Sequence, residues 1–473
     1  MKKKKPILGE APKASRRSFI KHTFTGSTAL ALGYPTWQAC SSERKDDRPG
    51  KEPLPASNGV VTRRDISQLE PNDPSLQALK DAVGVLRKRS DAMALAPDGW
   101  FAYATLHNMF CFTNSFKIQV HFTWLFFPWH RAYLYFLEKK LQAAIQEPSL
   151  ALHYWDWTKY PRIPAAYWGK DNPLNDPTRL ASEKDQVPDD YMNMVSHLRT
   201  PHFKGFGGFP KISPDRPYGE GAIEQSVHNS IHNWIGGNMD NFATASMDPI
   251  FYAHHGNIDR VWDSWLEADP SHQNPSDEEF LDYSFEFTDE WGHPVTIKVK
   301  DVLDTQKLGY QFESLDFTKT YEGAGEHPRP SNTLPCLVQE VEMNENERSA
   351  MATALKNGFR RVIIVMDRFK LPYIPICIRV FIALKNEQQS TPDTEGAEYV
   401  TTATILPVGM PDSSLIDKNI IMQAEVGPHL AALVACGLPL QATLEPVKVP
   451  GRELTAVPVE ISNIRIQFDD EVG

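Results

Sequence analysis

Cysteine is scarce: five in 473 residues, at Cys40, Cys111, Cys336, Cys377 and Cys436. They are too few and too scattered for a disulfide scaffold or a thiolate zinc site. No apolar run approaches the roughly 18 residues that a membrane-spanning helix needs. Positive charge is in deficit as well. A formal net charge of -11 argues against nucleic acid or anionic lipid as a partner, and ordinary solubility accounts for the acidity equally well. There is no internal repeat. What remains is a globular composition, 41% hydrophobic and 11% aromatic, in a chain too long for one compact core, so two domains plus tails are expected.

The basic charge concentrates at the start. Residues 1–40 hold eight Lys or Arg and one Glu. Arg16-Arg17 is followed by Ser18-Phe19-Ile20-Lys21 and a mildly apolar stretch, a pattern similar to a twin-arginine export signal. That reading implies export of the folded chain, as a periplasmic or cell-surface lipoprotein or a secreted protein. "WQAC" resembles a lipoprotein processing site with Cys40 as the lipidated residue; Trp37 and Gln38 depart from the usual pattern, and ordinary cleavage nearby is the alternative. A lipid on Cys40 would be the chain's membrane tether. Residues 41–60 are polar and contain proline, suited to a flexible tether.

From about 72 to 270 the apolar spacing is helical. "DPSLQALKDAVGVLRKR" opens on Asp73-Pro74 and repeats Leu76, Leu79, Val83 and Leu86 on one face. "WFAYATLHNMF", "HRAYLYFLEKKLQAAIQ", "AIEQSVHNSIHNWIG" and "DPIFYAHHGNIDRVWDSWLEA" are four further helices, the last opened by Asp248-Pro249. Between the third and fourth lies a Pro/Gly-rich excursion, 158–222, expected as surface loop. Beyond about 330 the chain changes to short β-branched runs such as "RRVIIVMDRF", "ICIRVFIAL" and "AEYVTTATILPV", as in a β-sandwich or barrel. The expected division is 1–40 signal, 41–60 tether, 61–320 helical domain, 321–335 linker and 336–473 β-rich domain.

Of the fifteen histidines, two groups fall on or beside these helices: His107, His121 and His130, then His228, His232, His254 and His255. His228 and His232, at i and i+4, share one helix face. His121 and His130 are nine apart and converge only if the helix is interrupted, which Pro128 is expected to do. His254 and His255 differ by about 100°, so at most one of the two is expected to face the same site. One buried histidine is usually a satisfied core residue. Several in neighbouring apolar helices share a desolvation cost that a metal would relieve. Imidazoles without thiolate or several carboxylates favour copper, zinc or nickel. A di-iron bundle site would need Glu-x-x-His pairs, and Glu224 precedes His228 by four instead. Two clusters of three imidazoles best suit a coupled dicopper centre that binds dioxygen.

"IQVHFTWLFFPWHRAYLYFLE" and "DPIFYAHHGNIDRVWDSW" resemble the two copper-binding signatures of type 3 copper proteins, closely those of plant-type polyphenol oxidases (tyrosinases and catechol oxidases). "ALHYWDW" is similar to the segment between them, and the resemblance covers about 60–320. It implies a mainly α catalytic domain, a four-helix bundle around two copper ions, followed by a β-rich domain that can cover the site. It implies that His107, His121 and His130 bind one copper and His228, His232 and His255 the other, leaving His254 a neighbour. Cys111, four after His107, matches a cysteine joined by a thioether to the second histidine, here His121; a buried apolar thiol is the alternative. Phe242 matches the aromatic gate over the second copper, or is plain core packing. Arg63 or Arg64 is expected to pair with the segment around Tyr310, with Phe312 where a second tyrosine is often seen. Glu224 and Asn229 match a pair that orients a water base, although a glutamate in a first helical turn also suits the helix dipole. Small phenols and O2 are the implied partners: o-diphenols oxidised to o-quinones and monophenols hydroxylated. A hemocyanin-like oxygen carrier, or an oxidase restricted to catechols or o-aminophenols, is the competing reading.

Overall fold

The computed structural model describes residues 59–111, 120–192, 194–210, 219–317, 336–356, 361–369, 376–385, 398–405, 418–425, 428–447, 450 and 463–467. The signal, the Cys40 site, nearly all of the tether and the linker expected at 321–335 lie outside them. One compact unit spans Pro53–Gly473.

Helix α1 (Pro74–Ala92) begins where the sequence says it should. Asp73 caps it by accepting from the Ser75 amide, Pro74 fills the first turn, and Leu76, Leu79, Val83 and Leu86 are buried. α2 (Trp100–Cys111) carries His107, α3 (Phe126–Ile145) His130, and α5 (Ile250–Ala268) His254 and His255. α3 is buried nearly all round, as a central helix must be. Before α4 (Asn229–Ile235) the chain makes a π-turn over Glu224–His228, so the fourth expected helix is not uniformly α. Such turns insert an extra residue per turn and concentrate at functional sites.

The helix does begin near Pro128, as expected: Pro128 sits within the first turn of α3, where its missing N–H costs nothing, and His121 lies in the turn before it. At Phe122 a φ of 63° reverses the chain. One expectation needs correcting: the described part of the excursion at 158–222 is not surface loop, since Tyr167, Leu174, Val187, Tyr191, Phe203, Phe206 and Phe209 are buried in it. Its apolar residues follow neither helix nor strand period, so periodicity missed them.

Strand β1 (Val61–Arg63) pairs in parallel with a distant strand, Tyr310–Phe312, with Arg63 opposite Phe312. Between the two in sequence, β2 (Ser284–Thr288) and β3 (Pro294–Lys298) form a hairpin, so the Tyr310 strand is β4. Arg63 lies over the Tyr310 ring at 3.5 Å, while Arg64 bonds Asp73 instead. Asp259 on α5 collects Arg63 Nη1 at 3.1 Å, Arg131 Nε at 2.5 Å and the Tyr310 hydroxyl at 2.6 Å. This buried network ties β1 to α3 and α5.

Beyond residue 336 come β5 (Leu337–Glu342), α6 (Glu345–Lys356), β6 (Arg361–Phe369), β7 (Ile376–Leu384), β8 (Glu398–Ile405), β9 (Lys418–Glu425), α7 (Pro428–Ala435), β10 (Leu440–Pro446) and β11 (Asn463–Gln467). The seven strands make one sheet, ordered β8-β7-β10-β5-β11-β6-β9. It is mixed rather than a sandwich, since β11 runs parallel to β5. β8 lies against the π-turn and α4. No helix among the described residues is long and apolar enough to cross a membrane.

Candidate metal centre

The helices bring the histidines together in two groups, each within 4.8 Å between ligand atoms: His107, Cys111, His121 and His130, and His228, His232, His254 and His255. All are buried. The groups adjoin, with the His130 and His255 rings 4.4 Å apart and the His121 and His228 rings 5.4 Å apart.

Five of these rings have Nδ1 committed to an oxygen. His107 Nδ1 meets the Phe242 carbonyl at 2.9 Å and His121 Nδ1 meets Glu224 Oε1 at 2.6 Å. His130 Nδ1 meets the Phe126 carbonyl at 2.8 Å, His228 Nδ1 meets Asn229 Oδ1 at 2.9 Å, and His232 Nδ1 meets the Met239 carbonyl at 2.6 Å. An acceptor at Nδ1 assigns the proton there and leaves Nε2 a bare lone pair. Those lone pairs converge. His107 and His121 Nε2 are 3.4 Å apart, and His255 Nε2 is 3.2 Å from that of His228 and 3.1 Å from that of His232. His130 Nε2 has no partner among the described residues.

In five of the six rings the proton sits on Nδ1 and cannot bridge these nitrogens; His255 Nδ1 has no partner among the described residues, so the hydrogen bonds do not assign its one proton. Burial lowers His107 to about 3 and His232 to about 4, and holds His121, His130, His228 and His255 well below the usual imidazole value. Facing lone pairs in a buried site repel unless a cation lies between them. The donor set fits a metal of the copper, zinc or nickel kind in each group.

The sequence reading did not anticipate how His121 is fixed. Glu224 accepts from it and also from the Phe122 amide, at 3.0 and 3.1 Å. The Phe122 carbonyl accepts from Gly219 N at 2.9 Å, and a Cβ on Gly219 would stand 2.7 Å from that oxygen. The left-handed turn at Phe122 is therefore clamped on both sides. Glu224 and Asn229 do not bond each other. Asn229 instead gives its side-chain N–H groups to Glu220 Oε1 at 3.0 Å and to the Thr404 carbonyl at 3.1 Å. Burial raises Glu220 to about 7 and pushes Glu224 well above the usual carboxyl value, Glu220 adding to the latter.

Phe242 stands with its ring 4.8 Å from that of His121, on the side of the first group. With His107, His121, His228, His232, Met239 and Ala245 it lines a narrow, tightly closed hollow. His254, which the sequence reading placed outside the ligand set, lies inside the second group, its ring stacked 5.5 Å from that of His228. Glu220 was missed, although its place one helical turn before Glu224 hinted at a shared face. Thr404 had no local signal.

The fold and these groups define a helical protein with two adjoining histidine-rich candidate metal sites. Residues 97–204 and 170–268 match the common central domain of tyrosinase, and 274–320 the polyphenol oxidase middle domain. Over that region the chain is similar to the tyrosinase and polyphenol oxidase families. It is 33% identical over 260 residues to catechol oxidase B of Solanum tuberosum, covering 47% of this chain and 44% of that one. It is 33% identical over 328 residues to a latent-form polyphenol oxidase of Prunus armeniaca, covering 57% and 54%. The chain thus spans about half the length of these curated relatives. The structure of latent apple tyrosinase covers 88% of this chain and 98% of its own, with a TM-score of 0.67 at 23% identity. An octopus hemocyanin functional unit covers 86% and 100%, with a TM-score of 0.54 at 18% identity. These two likenesses are of fold.

The relatives correct the export reading. Both plant enzymes are named chloroplastic, which conflicts with a twin-arginine route to a periplasmic or cell-surface lipoprotein, and that assignment, with the lipid on Cys40, is withdrawn. The composition explains the error: a basic, Ser- and Thr-containing, acid-poor leader is common to organellar and export signals.

Proposed function

We propose that the chain is a copper-dependent oxidase that uses O2 to convert o-diphenols to o-quinones and also hydroxylates monophenols. The observation that carries this is the convergence of Nε2 lone pairs whose Nδ1 partners are already fixed. His107, His121 and His130 would hold one copper and His228, His232 and His255 the other. Copper supplies dioxygen binding and accepts electrons from the phenol. Two catechols are oxidised for each O2 reduced to water; a monophenol takes one oxygen atom and leaves as an o-quinone, the other oxygen becoming water.

The chain's own groups do the rest. Phe242 faces the ring of an entering phenol at the hollow. A phenol, with a pKa of about 10, must lose its proton to bind a cation, and a water beside Glu224 and Asn229 would receive it. Cys111 Sγ, in the same group as His121, would be joined to a carbon of that ring, the S–H and ring C–H leaving as two protons and the two electrons passing to O2, and the bond would fix the ring a second time. The division at 61–320 and 336–473 is kept, with the sheet shielding the site.

The hemocyanin-like fold supports one competing reading, reversible oxygen binding without turnover. Copper content and quinone absorbance with catechol, tyramine and an o-aminophenol decide between them. They should be measured on the full chain and on chain cut between the helical and sheet portions. Quinone from catechol is expected; copper-loaded protein that binds oxygen reversibly and yields no quinone in either form rules the oxidase out.

A further inference from the structure

We infer that Thr404 of the C-terminal sheet determines specificity by sequestering the Asn229 amide, so that the docked sheet suppresses monophenol hydroxylation more than catechol oxidation. This rests on the oxidase reading above.

A carboxamide has two N–H donors and one acceptor oxygen. In Asn229, buried to 1% exposure, both donors are spent. One goes to Glu220 Oε1 at 3.0 Å and the other to the Thr404 carbonyl at 3.1 Å. The oxygen meets His228 Nδ1 at 2.9 Å, and this pattern fixes which way the amide faces. Asn229 therefore has no N–H left for a water. One of its two acceptors belongs to a strand more than 170 residues away in sequence.

That strand is anchored on both sides of the contact. Thr404 Oγ1 bonds Ser230 Oγ at 2.9 Å, beside Asn229. Two residues earlier, Thr402 Oγ1 donates to Asp190 Oδ2 at 2.8 Å. From the neighbouring strand, Arg379 gives Nε and Nη2 to the same carboxylate at 2.8 and 3.1 Å. Thr404 is thus held where its carbonyl accepts from the Asn229 N–H, and Arg379 and Thr402 hold the sheet in that register.

The consequence follows from proton balance. A monophenol passes its O–H proton to a water, and the water passes one on to a carboxylate; no electron moves in that step. A water that accepts a hydrogen bond from Asn229 is oriented with its lone pair toward the phenol. With the amide spent on Thr404 that orientation is lost. Catechol oxidation inserts no oxygen and depends on it less. Releasing the sheet would restore the donor, so it would change which phenol is used as well as how much.

The test uses the full-length, copper-loaded chain. Thr404→Val keeps the side-chain volume but removes the Ser230 bond that anchors the carbonyl; Thr404→Ser keeps that bond; Arg379→Ala loosens the sheet elsewhere. The ratio of tyramine kcat to catechol kcat should rise about three- to tenfold in Thr404→Val and Arg379→Ala, the scale of one neutral hydrogen bond. Thr404→Ser should stay near wild type. In metal-free protein, amide hydrogen exchange across 226–235 should quicken in the first two variants and not in the third. In an Asn229→Ala background Thr404→Val should leave the ratio unmoved, because the intermediary is gone. An equal rise of both activities, or the same ratio change without Asn229, overturns the inference and leaves the oxidase reading standing. No quinone from any phenol in any variant overturns both.

Discussion

His121 Nδ1 lies 2.6 Å from Glu224 Oε1, and the same carboxylate accepts from the amide of Phe122. One side chain thus orients an imidazole and holds the strained turn that follows it. Glu224→Ala should lower copper occupancy and kcat/KM by about 10- to 100-fold, the usual loss when a metal-bound imidazole loses its partner. Glu224→Gln, which retains an acceptor for His121, should lose less. Metal analysis alongside kinetics checks this; full occupancy of both sites in Glu224→Ala would contradict it.

Asp259 takes three buried donors, from Arg63, Arg131 and Tyr310. Asp259→Ala leaves Arg63 with Glu138 alone and Arg131 with Asp263 alone, and should cost about 3 kcal/mol. Asp304, paired with Lys307 at the surface, should cost less than about 1 kcal/mol when changed to Ala. Denaturant unfolding of the two variants should separate them clearly.

His153 supplies a pH signature remote from the metal groups. Burial lowers its pKa to about 4 from the ordinary imidazole value of 6.5. The unfolded chain binds this proton between pH 6.5 and about 4 while the folded chain does not. Stability contributed by the neutral ring is therefore fully present above the unfolded value and falls as the pH is lowered through that window. The loss reaches about 1.4 kcal/mol per pH unit for this group. In metal-free protein, His153→Gln should reduce the slope of unfolding free energy against pH between 6 and 4.5 by close to one proton. An unaltered slope would show that His153 is not buried neutral.

Phe242 faces the hollow with its ring, while its backbone carbonyl holds His107. Phe242→Ala removes the ring and keeps the carbonyl, so copper content should persist while phenols with bulky para substituents gain in kcat/KM relative to catechol. Loss of a buried aromatic should cost about 3 kcal/mol of stability. Measuring metal content and the substrate series on one preparation distinguishes a gate from plain packing.

The sequence was legible wherever a local rule applied. Asp73-Pro74 and the Leu76, Leu79, Val83, Leu86 face marked α1, and the spacings of His228 and His232 put two imidazoles on one helix face. The β-branched runs after 330 marked a sheet. One error was the 158–222 segment, expected on the surface: its burial depends on what packs against each residue.

The amino-acid sequence by itself determined the helical core, the two histidine groups and the likeness to the tyrosinase and polyphenol oxidase families, because period, capping and motif spacing act within a few residues. Tertiary structure decided which nitrogen each ring presents, since the oxygens that hold Nδ1 on His107, His121 and His232 come from Phe242, Glu224 and Met239. It also placed Thr404 against Asn229. Hydrogen bonds between groups far apart in the chain leave no periodic trace; they exist once the fold has brought donor and acceptor to about 3 Å.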